Sequence, residues 1–364
     1  MISFNPTDEQ NLIVETVRRY ATERLRPAAH DADERRETPA DLVAKGWELG
    51  LLPNAIPEEF GGFGEEHSAL TGVLAAEELA AGDLPMALHL LTPNLFALPI
   101  LHCGTDQQKQ TWLAQVLEGD FAPFTAALIE PRWNFDPAEL ETTAERQGDG
   151  YVLNGRKSYV PLAAEARAIL VYAREGDRTQ AFIVPRDAEG VQVLDREQHM
   201  GIRALPTHEL RLEGVRLPAD ARLGGDAGSD ISLLLNYSRA ALAGLSVGVA
   251  RAAYEYALQY AREREAFGRP IAQNQSIAFM LAEMAIEIDA ARALAWEAAW
   301  TLDKGQKADR AASIAKQYAD EAVLSVTDRA VQILGGHGYI REHPVERWLR
   351  DARGFTTFLG LAMI

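Results

Sequence analysis

The texture of this 364-residue chain changes twice, and those two changes limit the folds open to it. Residues from about 7 to 119 read as helical. Thr38-Pro39 looks like an N-cap followed by proline at the first helical position. Thr105-Asp106-Gln107-Gln108 has capping-box spacing ahead of a helix reaching about Leu117. Between them, Pro57-Glu58-Glu59-Phe60-Gly61-Gly62-Phe63-Gly64 is a loop by its glycine and proline content. Near Phe121 the pattern shifts to short segments rich in β-formers, at 142–147, 151–154, 158–160, 168–173 and 180–184. Gly148-Asp149-Gly150 and Asn154-Gly155 punctuate them as hairpin turns. From Ser229 onward the chain is helical again, with long helices expected at 229–265, 271–303 and 308–334. In the second of these, Ile277, Leu281, Met284, Ile288, Ala291 and Ala295 recur at alternating steps of four and three. Glu283, Glu287 and Glu297 lie off that stripe. Helices, then strands, then helices make an α+β chain. The expected parts are an N-terminal helical domain (1–120), a small central β-barrel or sandwich (121–225) and a C-terminal four-helix-bundle-like domain (226–364).

Composition removes several function classes. A net charge of −17 argues against nonspecific nucleic-acid binding, which needs basic surface. No run of about eighteen apolar residues is present, so no membrane insertion is expected. The start, Met1-Ile2-Ser3-Phe4-Asn5, lacks a basic stretch followed by an apolar core, so no signal peptide is expected. The single cysteine, Cys103, excludes an internal disulfide, fits a reducing cytoplasm and reads as a buried structural thiol.

The C-terminal third carries the chemistry-bearing blocks. Arg264-Glu265-Ala266-Phe267-Gly268-Arg269-Pro270-Ile271 breaks between two long helices. An arginine at such a helix end is either favoured by the helix dipole or set to pair with a phosphate. Gln332-Ile333-Leu334-Gly335-Gly336-His337-Gly338-Tyr339 ends the next helix. Paired glycines there serve as a cap and turn, and they also let backbone approach a ligand. In Pro344-Val345-Glu346-Arg347-Trp348-Leu349-Arg350-Asp351-Ala352, the charges Arg347, Arg350 and Asp351 read as holding the last helix in place. His337 and His343 lack a cysteine or carboxylate cluster at ligand spacing, so no metal site is expected.

Taken in this order, these blocks resemble the acyl-CoA dehydrogenase family of flavoproteins, and the resemblance covers nearly the whole chain. It implies the same three-part layout, FAD as cofactor, an acyl-CoA substrate and an acceptor such as an electron-transfer flavoprotein. It also implies a tetramer and a place in lipid or steroid side-chain catabolism. In the family a carboxylate removes the α-proton of the thioester while flavin N5 takes the β-hydride. By resemblance, Arg264, Phe267, Gln332, Gly335 and Gly336 reach the FAD of a neighbouring subunit. Leu128, Ile129 and Tyr159 stand where the family holds the chain's own flavin ring, and Tyr237 and Arg239 stand beside the substrate.

The departures are as informative as the matches. The usual base position is Leu359, in Phe358-Leu359-Gly360-Leu361, and the second position used by some members is Ser238. Neither side chain is a base, so no catalytic residue is assigned. The family's Thr-Glu-Pro-x-x-Gly-Ser-Asp reads Ile129-Glu130-Pro131-Arg132-Trp133-Asn134-Phe135-Asp136 here, and its Trp-Ile-Thr-Asn reads Tyr159-Val160-Pro161-Leu162. A buried flavin ring needs polar partners, and Ile129 and Pro161 offer neither hydroxyl nor N–H from the side chain or ring. Trp133 and Phe135 are expected to fill that space, while Leu233, Leu234, Leu235 and Tyr237 read either as lining an acyl pocket or, for most of them, as packing the helix core. The sequence ends at Ile364, where relatives run on into a helix beside the FAD adenosine. Three readings stay open: a subunit lacking the base that completes a partner's FAD site in a homo- or hetero-oligomer with a paralogue, a self-sufficient homo-oligomeric flavoenzyme with an unusual base, or a flavin-free acyl-CoA-binding scaffold.

Overall fold

The computed structural model describes residues 5–64 and 66–364; Met1 to Phe4, on which the leader reading rests, lie outside that range. The N-terminal helices are α1 (Asp8–Tyr20), α2 (Arg26–Arg35), α3 (Ala40–Trp47), α4 (Leu51–Ala55), α5 (Ala69–Gly82), α6 (Leu84–Leu91), α7 (Asn94–Cys103) and α8 (Asp106–Leu117). Strands follow: β1 (Thr125–Ala127), β2 (Thr143–Gln147), β3 (Gly150–Pro161), β4 (Ala168–Glu175), β5 (Arg178–Pro185), β6 (Val191–Arg196) and β7 (Thr207–Pro218). The C-terminal part has α9 (Ile231–Glu263), a small hairpin of β8 (Glu265–Ala266) and β9 (Arg269–Pro270), α10 (Gln275–Asp303), α11 (Asp309–Leu334), α12 (Gly336–Tyr339) and α13 (Val345–Ala352). The chain is α+β, as its texture required.

Local signals explain most of the element starts. Thr7 and Thr105 each build a capping box, with Gln10 and Gln108 respectively. At α3 the cap is Pro39 rather than Thr38. The Thr38 hydroxyl donates instead to the Ala204 carbonyl at 3.2 Å, so a contact between domains overrides the local cap. In the β domain, Gly148-Asp149 turns β2 antiparallel onto β3 as expected. Asn154-Gly155 does not turn the chain. It is a bulge inside one twelve-residue strand, β3, where the register against β7 shifts. A Cβ on Gly155 would lie 2.6 Å from Thr142 Cα, so only glycine permits the close approach.

The sheet runs β1-β4-β2-β3-β7-β6, with β5 paired to β4. Ile169, Val171 and Ala173 on one face of β4 join a core inside the β domain. Ala168, Leu170 and Tyr172 on the other face join the main core with the helices. A strand buried on both faces reads as a continuous apolar run, which is why the strict alternation is lost here.

The hub is α9. Its apolar window is long enough to cross a membrane, yet most of that window is buried inside the fold. Gly244 and Gly248 let α5 approach it: a Cβ on Gly248 would lie 2.2 Å from the Glu77 carbonyl oxygen. Ion pairs surround the crossing. Glu78 of α5 meets Arg18 of α1 at 2.8 Å and Arg251 of α9 at 2.7 Å, and Glu77 meets Arg292 of α10 at 3.1 Å. The apolar stripe of α10 faces inward as its spacing required, with Leu281, Met284, Ile288, Ala291 and Ala295 buried. Glu283 and Glu287 pair outward with Arg329.

Candidate functional site

The first turns of α9 and the C-terminal segment bring the two expected base positions together. Ser238, 1% exposed, accepts a hydrogen bond from the Gly360 N–H at 2.9 Å, and Leu359 packs against the main core beside it. Gly360 has φ +80°, and a Cβ there would lie 2.6 Å from Leu128 Cδ2, so the turn and the approach both require glycine. Around this contact is a cavity of about 10 Å³ lined by Leu95, Ala126, Leu128, Tyr172, Leu234, Leu235, Ser238, Gly360 and Met363. The walls are apolar apart from the Ser238 hydroxyl and the Tyr172 phenol, whose pKa burial pushes well above its ordinary value. No lining group can take a proton near neutral pH.

The expected substrate-side residues separate. Leu234 and Leu235 line the cavity, whereas Leu233 packs against the core at its side. Tyr237 turns away from the cavity and stacks on His102 at 4.4 Å, with His67 at 5.4 Å. Burial pushes His67 down to about 3 and His102 down to about 4, so both rings are neutral. Arg239 is half-buried and donates to Asn236 Oδ1 at 2.8 Å, and Asn236 donates in turn to Asp309 at 3.0 Å. Leu95, Tyr172 and Met363 were not found by sequence reasoning. They come from three distant segments, and nothing in their spacing points to one wall.

At the ring half of the site, Leu128 and Ile129 are buried and present only apolar side chains. Glu130 accepts from the N–H groups of Glu141 and Thr142 and from Lys157 Nζ at 3.0 Å. Burial opposes its charge, but Lys157 and those backbone donors outweigh it and hold the carboxyl below its ordinary range. This retained motif glutamate therefore has a structural role, tying the loop to β3. Tyr159 has φ +55°, and its N–H donates to the Glu197 carboxylate at 3.0 Å. Its ring stacks on His199 at 4.6 Å. Pro161 pairs in register with Thr207. Trp133 does not fill the space: it is 97% exposed, and Phe135 alone packs against the core. The reason is local. Arg132 reaches the Glu139 carbonyl, and Asp136 accepts from Ala138 N–H at 2.8 Å, which folds the loop back and turns Trp133 outward.

The third group faces outward. Arg264 caps α9, and its guanidinium is exposed and engaged by no described residue. The β8–β9 turn presents Phe267 at 100% exposure with φ +54°. Gln332 is exposed at the end of α11. Gly335 has φ +58°, and a Cβ on Gly336 would meet nothing, so neither is glycine because of crowding within the chain. Tyr260 to His337 at 2.8 Å and Tyr256 to His343 at 2.7 Å anchor this loop on α9. Those two imidazoles stack at 5.2 Å, and no metal cluster is present among the described residues. An exposed guanidinium, a free amide and two open glycines fit a pyrophosphate and its attached groups. The ring half does not fit an isoalloxazine equally well, because two donors are absent and the Tyr159 N–H is engaged by Glu197.

Three family models match the chain: the acyl-CoA dehydrogenase N-terminal domain over residues 7–120, the middle domain over 125–215 and the C-terminal domain over 229–362. The chain is 37% identical over 362 residues to the probable acyl-CoA dehydrogenase YngJ of Bacillus subtilis (strain 168), covering 97% of this chain and 94% of that protein. Among solved structures it is similar to butyryl-CoA dehydrogenase from Megasphaera elsdenii, with TM-score 0.90, 32% identity and coverage of 100% and 96% of the two chains. It is also similar to a glutaryl-CoA dehydrogenase from Mycobacterium smegmatis in complex with FADH2, with TM-score 0.87, 27% identity and coverage of 98% and 92%.

Proposed function

Because the chain belongs to the acyl-CoA dehydrogenase family, we propose that it acts as a subunit that completes the FAD site of a partner chain and leaves proton abstraction to that partner. The family is FAD-dependent and dehydrogenates acyl-CoA thioesters. One observation carries the finer reading. Ser238, one base position, accepts from the Gly360 N–H next to Leu359, the other, and the small, largely apolar cavity at that contact has no proton acceptor in its walls. General-base catalysis requires a group that accepts the proton. Bound FAD supplies the acceptor for the β-hydride. The residues of this chain contribute binding: Arg264 pairs with pyrophosphate, Gln332 donates its amide, Gly335 and Gly336 admit close backbone approach, and Phe267 covers an apolar edge. The acyl-CoA and an electron-transfer flavoprotein are the partners that follow from this reading.

The test uses the purified full chain, an acyl-CoA and a dye acceptor. The expected result is no turnover at an enzymatic rate and little bound flavin, with flavin retained once a glutamate-bearing paralogue is added. Robust turnover by the pure chain would overturn the proposal in favour of a self-sufficient enzyme. A preparation that stays colourless with every paralogue would overturn it in favour of a flavin-free scaffold.

A further inference from the structure

We propose that His67, His102 and Tyr237 form an acid-sensitive latch, which holds the loop before α5 against α7 and α9 and releases it as the two imidazoles take up protons. The three rings come from separate elements. His67 stands in the loop between α4 and α5, His102 in the last turn of α7 and Tyr237 in the second turn of α9. The His67 ring centroid lies 4.9 Å from that of His102 and 5.4 Å from that of Tyr237, and His102 stacks on Tyr237 at 4.4 Å. His67 Nδ1 and His102 Nε2 are both shut off from solvent and have no hydrogen-bond partner. Each side chain keeps some exposed surface, so its neutral ring can carry the proton on the other nitrogen. Protonation puts a second N–H, and a charge, on the enclosed nitrogen, where it meets no acceptor. A buried donor of that kind is costly, and a buried charge more so.

The groups around the cluster do not relieve that cost. His102 opposes a charge on His67, and Lys109 of α8 opposes one on His102. Asp303, at the end of α10, commits its carboxylate to the N–H groups of Ala69 and Leu70 and to the Ser68 hydroxyl. Glu66 is exposed, burial pushes the Cys103 thiol up, and Asp230 caps α9 by accepting from the Leu233 N–H. Burial therefore holds both rings below the ordinary imidazole value of about 6.5. The stability this gives is complete above about 6.5 and is lost as pH falls toward the folded values, about 4 for His102 and about 3 for His67. Once the loop lifts, both rings return to their ordinary value. Each then favours the open form roughly tenfold per pH unit below about 6.5, so together they shift the equilibrium about a hundredfold at pH 5.5. The loop is the part that yields. Its backbone bonds run to nearby residues, Phe63 N–H to the Pro53 carbonyl at 2.8 Å and Gly64 N–H to the Ile56 carbonyl at 3.0 Å, whereas α7 and α9 lie in the main core.

The test is amide hydrogen exchange of the full chain at about pH 7.5 and 5.5, corrected for the intrinsic exchange rate at each pH. It is read at Gly64, which bonds the Ile56 carbonyl, and at Ala69, which bonds Asp303. Protection at both should fall roughly a hundredfold over that interval. Protection in β4 and β5, which pair along their whole length, should hold. His67→Phe keeps an aromatic ring without a proton site and should cut the fall to about tenfold. Combined with His102→Phe it should abolish the fall. Imidazole titration followed by NMR in the wild type needs no variant to fold, and it should show both rings still neutral at about pH 5.5. The proposal is overturned by protection at Gly64 and Ala69 that does not change with pH, by an equal loss in β4 and β5, by a double variant that keeps the full fall, or by either ring titrating near its ordinary value.

Discussion

At the scale of single residues, the same family pattern is kept on one face and emptied on another. Arg264 is exposed and engaged by no described residue, whereas Tyr159 has its N–H engaged by Glu197 and its ring stacked on His199. If this chain lends a phosphate-binding arm, Arg264→Ala should reduce FAD retention in the assembled oligomer. Charge-assisted hydrogen bonds contribute about 1.5–3 kcal/mol each, so the affinity should fall roughly ten- to a hundredfold. Because the Arg264 side chain engages none of the described residues, the melting temperature of the isolated subunit should stay the same. Pro161→Thr should leave the flavin content and spectrum of the oligomer unchanged. Flavin absorbance after gel filtration reads both, and full retention in Arg264→Ala alongside an altered spectrum in Pro161→Thr would sink the idea. How far the site was legible in sequence follows from this contrast. Leu359 and Ser238 could be named from motif position alone, but that they meet through Gly360 depends on a turn only the folded backbone makes. From sequence, Trp133 reads as filling a pocket because it is an aromatic residue in a motif loop. The outcome was decided by carbonyl contacts of Arg132, which have no signature in the sequence.

At the scale of elements, the long helices were legible and the strand boundaries less so. Periodicity over many residues averages out exceptions, which is why α9, α10 and α11 fall close to their expected positions. Strand β3 reads as two pieces in sequence because Asn154-Gly155 is a turn signal wherever it stands. In the fold, the packing of Thr142 turns it into a bulge. Thr38 lost its capping role in the same way, to a carbonyl in another domain. The crossing of α5 and α9 is the element contact most open to test. Gly248→Ala should gain about 1 kcal/mol in helix propensity. Against that, its new methyl would sit 2.2 Å from the Glu77 carbonyl oxygen, a backbone atom that cannot swing aside. Overpacking of this kind costs about 1–3 kcal/mol, so a net loss is expected. The separation of α5 from α9 would also strain the pair of Glu78 with Arg251. Chemical denaturation of Gly248→Ala should show a lower midpoint at an unchanged slope, and a midpoint equal to or above that of wild type would contradict the close crossing.

At the scale of the whole molecule, two buried carboxylates hold the three parts together, and they respond to pH in opposite directions. Asp33 of α2 meets Arg203 of the β domain at 3.2 Å and, from the C-terminal part, Arg341 at 2.6 Å and Arg350 at 2.9 Å. Burial opposes its charge, but the Arg350 hydrogen bond and the charges of Arg350, Arg203 and Arg341 hold it below the ordinary carboxylate range. Asp351 of α13 accepts from the Ile202 N–H at 2.6 Å, and its other oxygen has no partner. Burial, reinforced by the nearby charge of Asp83, pushes Asp351 up to about 7. These partners lie far apart in sequence, so no local pattern announces them. A depressed folded pKa gives stability that is present above the unfolded value of about 4 and is lost as pH falls through the folded value. A raised folded pKa gives stability that is complete below about 4 and is lost as pH climbs through the folded value, here near 7. Asp33→Asn should therefore destabilise the chain at neutral pH, by about 3–5 kcal/mol if three arginines lose their common partner. Asp351→Asn keeps a carbonyl for the Ile202 N–H and removes the charge that burial resists. Its melting temperature should exceed that of wild type at pH 8, and the advantage should shrink markedly by pH 5 and vanish only below about 4, where the unfolded carboxyl is protonated as well. Thermal melts of both proteins at the two pH values decide the matter: an Asp351→Asn difference that does not change with pH means Asp351 is ionised throughout, and the interdomain contact then depends on Arg347 and Arg350 to hold a buried carboxylate rather than on a protonated acid.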